Sequence, residues 1–123
     1  MCLQELATVK QYDIPIHVFI INNKWQGMVR QWQQSFYGER YSHSYMYEDL
    51  PNFEALAKAY GLKSYTITNG ENFSDLLTIL KNTKQSTIID VKVESEENCY
   101  PMVSPGKSNA QMIGIGKEQL KQE

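Results

Sequence analysis

Apolar positions along the chain alternate between two spacings, one helical and one extended. Leu3, Leu6 and Ala7 fall at helical intervals and predict a helix over about residues 2–12. Asp13-Ile14-Pro15 ends it, because proline disfavours a helical residue before it. His17-Val18-Phe19-Ile20-Ile21 is a short β-branched run flanked by polar residues and predicts a buried strand over 16–21. A polar elbow, Asn22-Asn23, follows, then a helix over about 26–35. Phe36 to Leu50 is aromatic, polar and aperiodic, the pattern of a long loop. Phe53, Leu56, Ala57 and Tyr60 give an i, i+3, i+4, i+7 stripe, with Gly61 placed to stop the helix. Tyr65-Thr66-Ile67 reads as a strand. Asn72 with Asp75 three residues on reads as a capping arrangement for a helix carrying Phe73, Leu76, Leu77 and Leu80. Thr87 to Val93 is the third strand. After Glu94 periodicity is lost, and Pro101, Pro105 and Gly106 mark an irregular tail.

The order α-β-α-α-β-α-β predicts an α/β fold, a partial parallel sheet with flanking helices and right-handed crossovers. The expected division is residues 1–95 as the sheet domain and 96–123 as an irregular C-terminal arm. Three strands leave a thin core and an open edge. The chain also opens inside a helix, so the expectation is the second half of something larger.

Composition narrows the partners rather than the fold. With 123 residues, 41% of them hydrophobic, one modest core is the natural prior. A formal charge of −2 gives no reason to expect a nucleic acid or an acidic membrane as partner. No apolar run approaches membrane-spanning length, and no charged-then-apolar stretch opens the sequence. Cys2 and Cys99 lie far apart, which reads as two free thiols in a reducing compartment. There is no internal repeat.

The Asn pair is the main candidate for chemistry. It sits at the carboxyl end of a predicted strand, where open α/β sheets bind ligands. Strand, polar elbow and helix start together make a seat for a phosphate and its metal ion. The dipeptide alone is as well explained as a turn. Likewise Met28 and Trp32, four residues apart, read by themselves as one core-facing stripe. His17 lies in a predicted strand and reads as structural; His43 lies in the loop and is given no chemical role. Glu94, Glu96 and Glu97 read as a solvated edge. Gly106-Lys107-Ser108 is similar to the end of a phosphate-binding loop, but Pro101 stands where that motif needs a glycine.

The series after the elbow is more specific. Asn22-Asn23, Gln26-Gly27-Met28-Val29-Arg30-Gln31-Trp32-Gln33, Phe36-Tyr37 and Arg40-Tyr41-Ser42-His43-Ser44 resemble the large catalytic subunits of the acetolactate synthases. Leu3 to Thr8, Phe53 to Gly61 and Tyr100-Pro101-Met102-Val103 fall in the family's order, so the resemblance covers nearly the whole chain. It implies the C-terminal part of a thiamine-diphosphate-binding fold. The implied reaction condenses pyruvate with pyruvate or 2-oxobutyrate, with loss of carbon dioxide, as the first common step toward valine, leucine and isoleucine. The implied cofactors are thiamine diphosphate and Mg2+, with FAD in the full-length enzyme.

Residue by residue, the resemblance assigns the Asn23 side-chain oxygen and the Trp25 backbone carbonyl to the metal. It assigns Gln26, Gly27 and Met28 to the cofactor, and Met28 and Trp32 to the substrate pocket, where the tryptophan favours 2-oxobutyrate. Met1 matches a position near the cofactor's pyrimidine ring. The resemblance assigns no catalytic residue here, because the family's catalytic Glu lies in another domain of a neighbouring subunit. Its Gly-Asp-Gly turn, which supplies a further magnesium ligand, is expected a few residues before Met1. The expectation is therefore a fragment, inactive alone, whose Met1 is an internal residue, with an internal start codon as the lesser alternative. The implied partners are a second catalytic subunit, in a homodimer or higher assembly, and a small regulatory subunit. The implied address is the plastid stroma or a bacterial cytoplasm. Two rivals stay open: another thiamine-diphosphate enzyme of the pyruvate oxidase or glyoxylate carboligase type, and a small non-catalytic α/β binding module.

Overall fold

The computed structural model describes residues 2–46, 50–68 and 72–114. The expectations for Met1, for residues 47–49 of the loop and for residues 115–123 of the arm lie outside these. The elements run α1 (Glu5–Gln11), β1 (His17–Asn22), α2 (Gly27–Phe36), α3 (Phe53–Ala59), β2 (Lys63–Ile67), α4 (Phe73–Asn82), β3 (Thr87–Lys92) and β4 (Met102–Val103). A 3-10 turn (Asn109–Gln111) and β5 (Met112–Ile113) follow. They belong to two units, Met1–Trp25 with Met46–Ser95, and Gln26–Tyr45 with Glu96–Glu123. Residues 26–45 thus group with the segment after residue 95.

The first unit is built on a parallel sheet of order β1-β3-β2. The α/β class and the parallel pairing expected from the element order are both present. Alternation along the central strand feeds two clusters. Ile89, fully buried, meets Ile67, Leu76 and Leu80 from β2 and α4. Ile88 meets Leu6 of α1 and Ala57 of α3, with Val18 and Ile20 of β1 packed against them. A central parallel strand covered on both faces reads as a continuous apolar run for this reason.

β1 departs from its expectation as a buried strand. Val18 and Ile20 pack, but Phe19 is 40% and Ile21 66% exposed. β1 is an edge strand of this sheet, and among the described residues the α4 leucines reach β2 and β3, not its outward side chains. α1 is shorter than expected and buries Leu6 and Val9, while Leu3 and Ala7 are exposed. It ends where Asp13, at φ 47, lets the N–H groups of Asp13 and Ile14 turn back to the carbonyls of Lys10 and Val9. Gly61 closes α3 in the same way at φ 67, as expected, with Gly61 and Leu62 donating to Lys58 and Ala57.

The capping expectation at Asn72 fails. Asn72 lies at φ −108, ψ 16, away from the extended backbone usual for a capping residue, and its side chain makes no cap bond. Among the described residues the side-chain cap of this unit is at Asn52, which the sequence pattern did not single out. Its backbone is extended, and its Oδ1 accepts the Ala55 N–H at 2.9 Å.

The second unit contains α2 and the segment after residue 95. That segment is not wholly irregular. β4 and β5 pair antiparallel, Met102 opposite Ile113 and Val103 opposite Met112, around a turn with Gly106 at φ 74. Strands of two residues are too short to show as alternation. Gln31, only 2% exposed, holds this segment to α2. Its Oε1 accepts the Cys99 N–H at 2.9 Å, and its Nε2 donates to the Cys99 carbonyl at 2.8 Å and to the Met102 sulfur at 3.1 Å. Gln31→Leu would strand both backbone groups, at about 1–3 kcal/mol. Hydrogen exchange should show the Cys99 amide opening about tenfold faster or more, since 1.4 kcal/mol is a factor of ten. Unchanged protection would remove this role.

Candidate functional site

The elbow closes the carboxyl end of β1 with two successive side-chain turns. Asn22 Oδ1 accepts the Lys24 N–H at 3.1 Å, and Asn23 Oδ1 accepts the Trp25 N–H at 3.0 Å. Asparagine favours such turns because its carboxamide reaches the amide two residues on. Between them Lys24 takes φ 61, and its carbonyl accepts the Met46 N–H at 2.8 Å. Asn22, Asn23, Lys24, Lys92 and Glu94 line a small cleft of about 210 Å³.

This donor set fits magnesium. A carboxamide oxygen has a second lone pair when one is occupied, so Asn23 Oδ1 can bind a cation and still accept from Trp25. The Trp25 carbonyl is a second hard oxygen donor. Among the described residues no group of three or more His, Cys, Asp or Glu could hold a metal ion. Two neutral oxygens suit a Mg2+ that takes its other ligands from a carboxylate, a phosphate group and water, the usual habit of that ion.

Gln26, Gly27, Met28 and Trp32 belong to the second unit, whereas Asn23 and Trp25 belong to the first. Gln26 caps α2 at ψ 86 without a side-chain bond. Its N–H donates to the Ser44 carbonyl and its C=O accepts from Arg30. Gly27 and Met28 are exposed in the first turn, where helical amides have no intrahelical acceptor and suit an anion. Gly27 is not among the glycines at positive φ, so any special role lies in close approach and not in backbone freedom.

α2 is inverted relative to an ordinary amphipathic helix. Its buried residues are Arg30, at 5%, and Gln31, at 2%, while Met28 and Val29 are 52% and 43% exposed. The reading of Met28 and Trp32 as a core-facing stripe is overturned here. Both line an open groove of about 640 Å³ with Val29 and Tyr37, and with polar Gln33, Arg40 and Ser42. Trp32 is half-buried and set edge-on against Phe36, the ring centroids 5.5 Å apart. A contiguous apolar patch with polar neighbours is a common mark of a binding surface.

The polar face is held by partners distant in sequence. The Arg30 guanidinium lies 5.2 Å over the Tyr41 ring and 3.4 Å from Glu96. Glu96 is 81% exposed, so it stays on the solvated edge expected of it while making this contact. Sequence reading missed Arg30 and Gln31, and the only signal was their place on the face opposite Met28, Val29 and Trp32. His17 bonds Thr87 Oγ1 through Nδ1 at 2.8 Å across the strand pair, a structural use. His43 is exposed at φ 54. Cys2 and Cys99 are exposed free thiols.

Comparison with known proteins adds to this geometry. Residues 1–91 match the family described as thiamine pyrophosphate enzyme, C-terminal TPP binding domain. An acetolactate synthase large subunit of Pyropia yezoensis is 56% identical over 119 residues, 97% of this chain and 20% of that protein. One from Parasynechococcus marenigrum is 52% identical, over 94% of this chain and 19% of its own length. The large subunit of acetolactate synthase isozyme 2 of Escherichia coli is 38% identical, over 92% and 20%. This chain thus spans about a fifth of the length of these curated relatives. Among solved structures, a thiamine diphosphate-dependent 4-hydroxybenzoylformate decarboxylase of Rhodococcus jostii shares the fold. Its TM-score is 0.68 at 22% identity, over 78% of this chain and 18% of that one.

Proposed function

Because the chain belongs to the thiamine pyrophosphate enzymes, through their C-terminal TPP-binding domain, we propose that it forms part of an acetolactate synthase large subunit. The proposed reaction joins pyruvate to a second pyruvate or to 2-oxobutyrate with loss of carbon dioxide, toward branched-chain amino acids. The observation that carries the reading is the inverted face of α2, which turns Met28 and Trp32 into an open groove. Relatives named acetolactate synthase across nearly the whole chain support it.

In this reading Asn23 Oδ1 and the Trp25 carbonyl hold Mg2+ against the diphosphate. Gln26, Gly27 and Met28 lie beside the cofactor, and Met28 and Trp32 line the pocket for the second 2-oxo acid. When bound, thiamine diphosphate supplies the decarboxylation and carbon-transfer chemistry, and the protein supplies binding and orientation. These residues bind and orient; none is assigned a proton transfer. The proposal extends to FAD in the whole protein, to a second catalytic subunit and a small regulatory subunit as partners, and to residues 1–95 and 96–123 as cofactor-binding domain and arm. It places the protein in a plastid stroma or bacterial cytoplasm, in keeping with red-algal and bacterial relatives.

The test is acetolactate formation from pyruvate by the intact protein supplied with Mg2+, thiamine diphosphate and FAD. Product that requires both Mg2+ and thiamine diphosphate is the expected result. Cofactor binding without acetolactate would favour a different thiamine-diphosphate enzyme, and no binding would favour a non-catalytic module. In the same assay with pyruvate and 2-oxobutyrate competing, Trp32→Leu should erode the preference for 2-oxobutyrate. One methylene against an aromatic wall is worth about 1–3 kcal/mol. An unaltered product ratio would remove Trp32 from the pocket.

A further inference from the structure

The sheet carries one buried carboxylate with no task in the reading above. Asp90 is 9% exposed on the central strand, opposite Ile20 of β1 and Thr66 of β2. It interrupts an apolar run, Ile88-Ile89 before it and Val91 after it. A carboxylate there needs a hydrogen-bond donor to offset lost hydration. Asn22 Nδ2 supplies one at 3.0 Å.

That bond determines how Asn22 sits. Its Nδ2 faces an acceptor that cannot donate when ionised, and its Oδ1 faces the Lys24 N–H, which cannot accept. Turning the carboxamide over would lose both bonds and oppose like partners at both ends. Asp90 therefore selects one orientation of Asn22, and that orientation caps the amide of Lys24 at its left-handed φ of 61. The next turn, Asn23 Oδ1 to the Trp25 N–H at 3.0 Å, is built directly on this one.

We infer that Asp90 is a positioning residue for the elbow. Through Asn22 it fixes the turn that carries the Asn23 carboxamide and the Trp25 carbonyl, and so strengthens the binding of a divalent cation together with a diphosphate ligand. It touches neither. The inference rests on the assignment of Asn23 to the cation. It makes position, not charge, the contribution of Asp90, so an asparagine at this place serves nearly as well, since its oxygen still accepts from Asn22.

The test titrates Mg2+ into the intact protein at fixed thiamine diphosphate and reads bound cofactor by equilibrium dialysis, independently of turnover. Asp90→Ala should raise the half-saturating Mg2+ about tenfold, within the 10–100-fold range seen when a group supporting a metal ligand is removed. Asn22→Ala, which removes the same bond from the half-buried side, should do the same and serves if Asp90→Ala does not fold. Asp90→Asn should stay within about threefold of the parent, well short of that loss. Leu80→Ala, buried in the α4 cluster, should lower the unfolding midpoint without moving the Mg2+ requirement. The inference is overturned if Asp90→Ala or Asn22→Ala leaves the requirement unchanged. It is equally overturned if Asp90→Asn is as weak as Asp90→Ala, or if Leu80→Ala shifts the requirement as far. Asn23→Ala run alongside separates the two levels: if it has no effect, the cation assignment itself has failed.

Discussion

Asn23→Ala in the intact protein is expected to raise the Mg2+ needed for half-maximal thiamine diphosphate binding about 10- to 100-fold. That range follows from a charge-assisted contact worth roughly 1.5–3 kcal/mol. Under the proposed assignment alanine deletes the Asn23 oxygen donor and also releases the Trp25 N–H that Oδ1 accepts at 3.0 Å. A water that takes the vacated position completes the octahedron but does not tether the ion to the chain as a carboxamide preorganised by the Trp25 N–H would. Asn23 is half-buried beside a cleft and lies outside both apolar clusters. The unfolding midpoint without cofactor should therefore move little. Cofactor binding is measured by dialysis at several Mg2+ concentrations, and stability by thermal unfolding of the apoprotein. An unchanged Mg2+ requirement would end the assignment; a fall in apoprotein stability matching the loss of binding would make Asn23 a folding residue instead.

Ile89→Ala should be the most destabilising single change in the sheet, at about 2–5 kcal/mol. Ile89 is fully buried at the centre of β3 and is the strand residue around which Ile67, Leu76 and Leu80 gather. Truncation leaves a cavity between sheet and helix that a three-stranded sheet has little means to refill, because β1 and β2 already hold β3 in fixed register on either side. Ile79→Ala provides the contrast. Ile79 is on α4 but 47% exposed, and surface changes of this kind are usually worth within about 0.5 kcal/mol. Urea unfolding of the apoprotein measures both. Equal effects would mean that α4 does not pack as described.

The asparagine elbow and the groove differ in how far the chain itself reveals them. The elbow was legible because its turns are local: each carboxamide bonds an amide two residues on, and Asn-Asn after a β-branched run announces that geometry. Its anchor was not. Asp90 lies 68 residues away in sequence, and within Thr87 to Val93 it looks like the polar member of a strand. The groove was half legible. The series from Gln26 to Trp32 pointed to chemistry by resemblance, yet spacing alone would have turned Met28 and Trp32 toward a core. Only the contacts of Arg30 with Tyr41 and Glu96, and of Gln31 with Cys99, show why the polar face turned inward.

The sequence by itself determined the element order as far as β3, the parallel α/β class, the end of α3 at Gly61 and the Asn elbow. These depend on side-chain period, backbone preference and bonds a few residues long, all of which are local. Tertiary structure alone decided that β3 is central and β1 an edge, that Phe19 and Ile21 lie exposed, that Asn52 and not Asn72 makes the side-chain cap, and that α2 presents its apolar face outward. Each of those outcomes depends on which distant segment supplies a partner. The same isoleucine is a core residue under α4 and an exposed one beyond its reach.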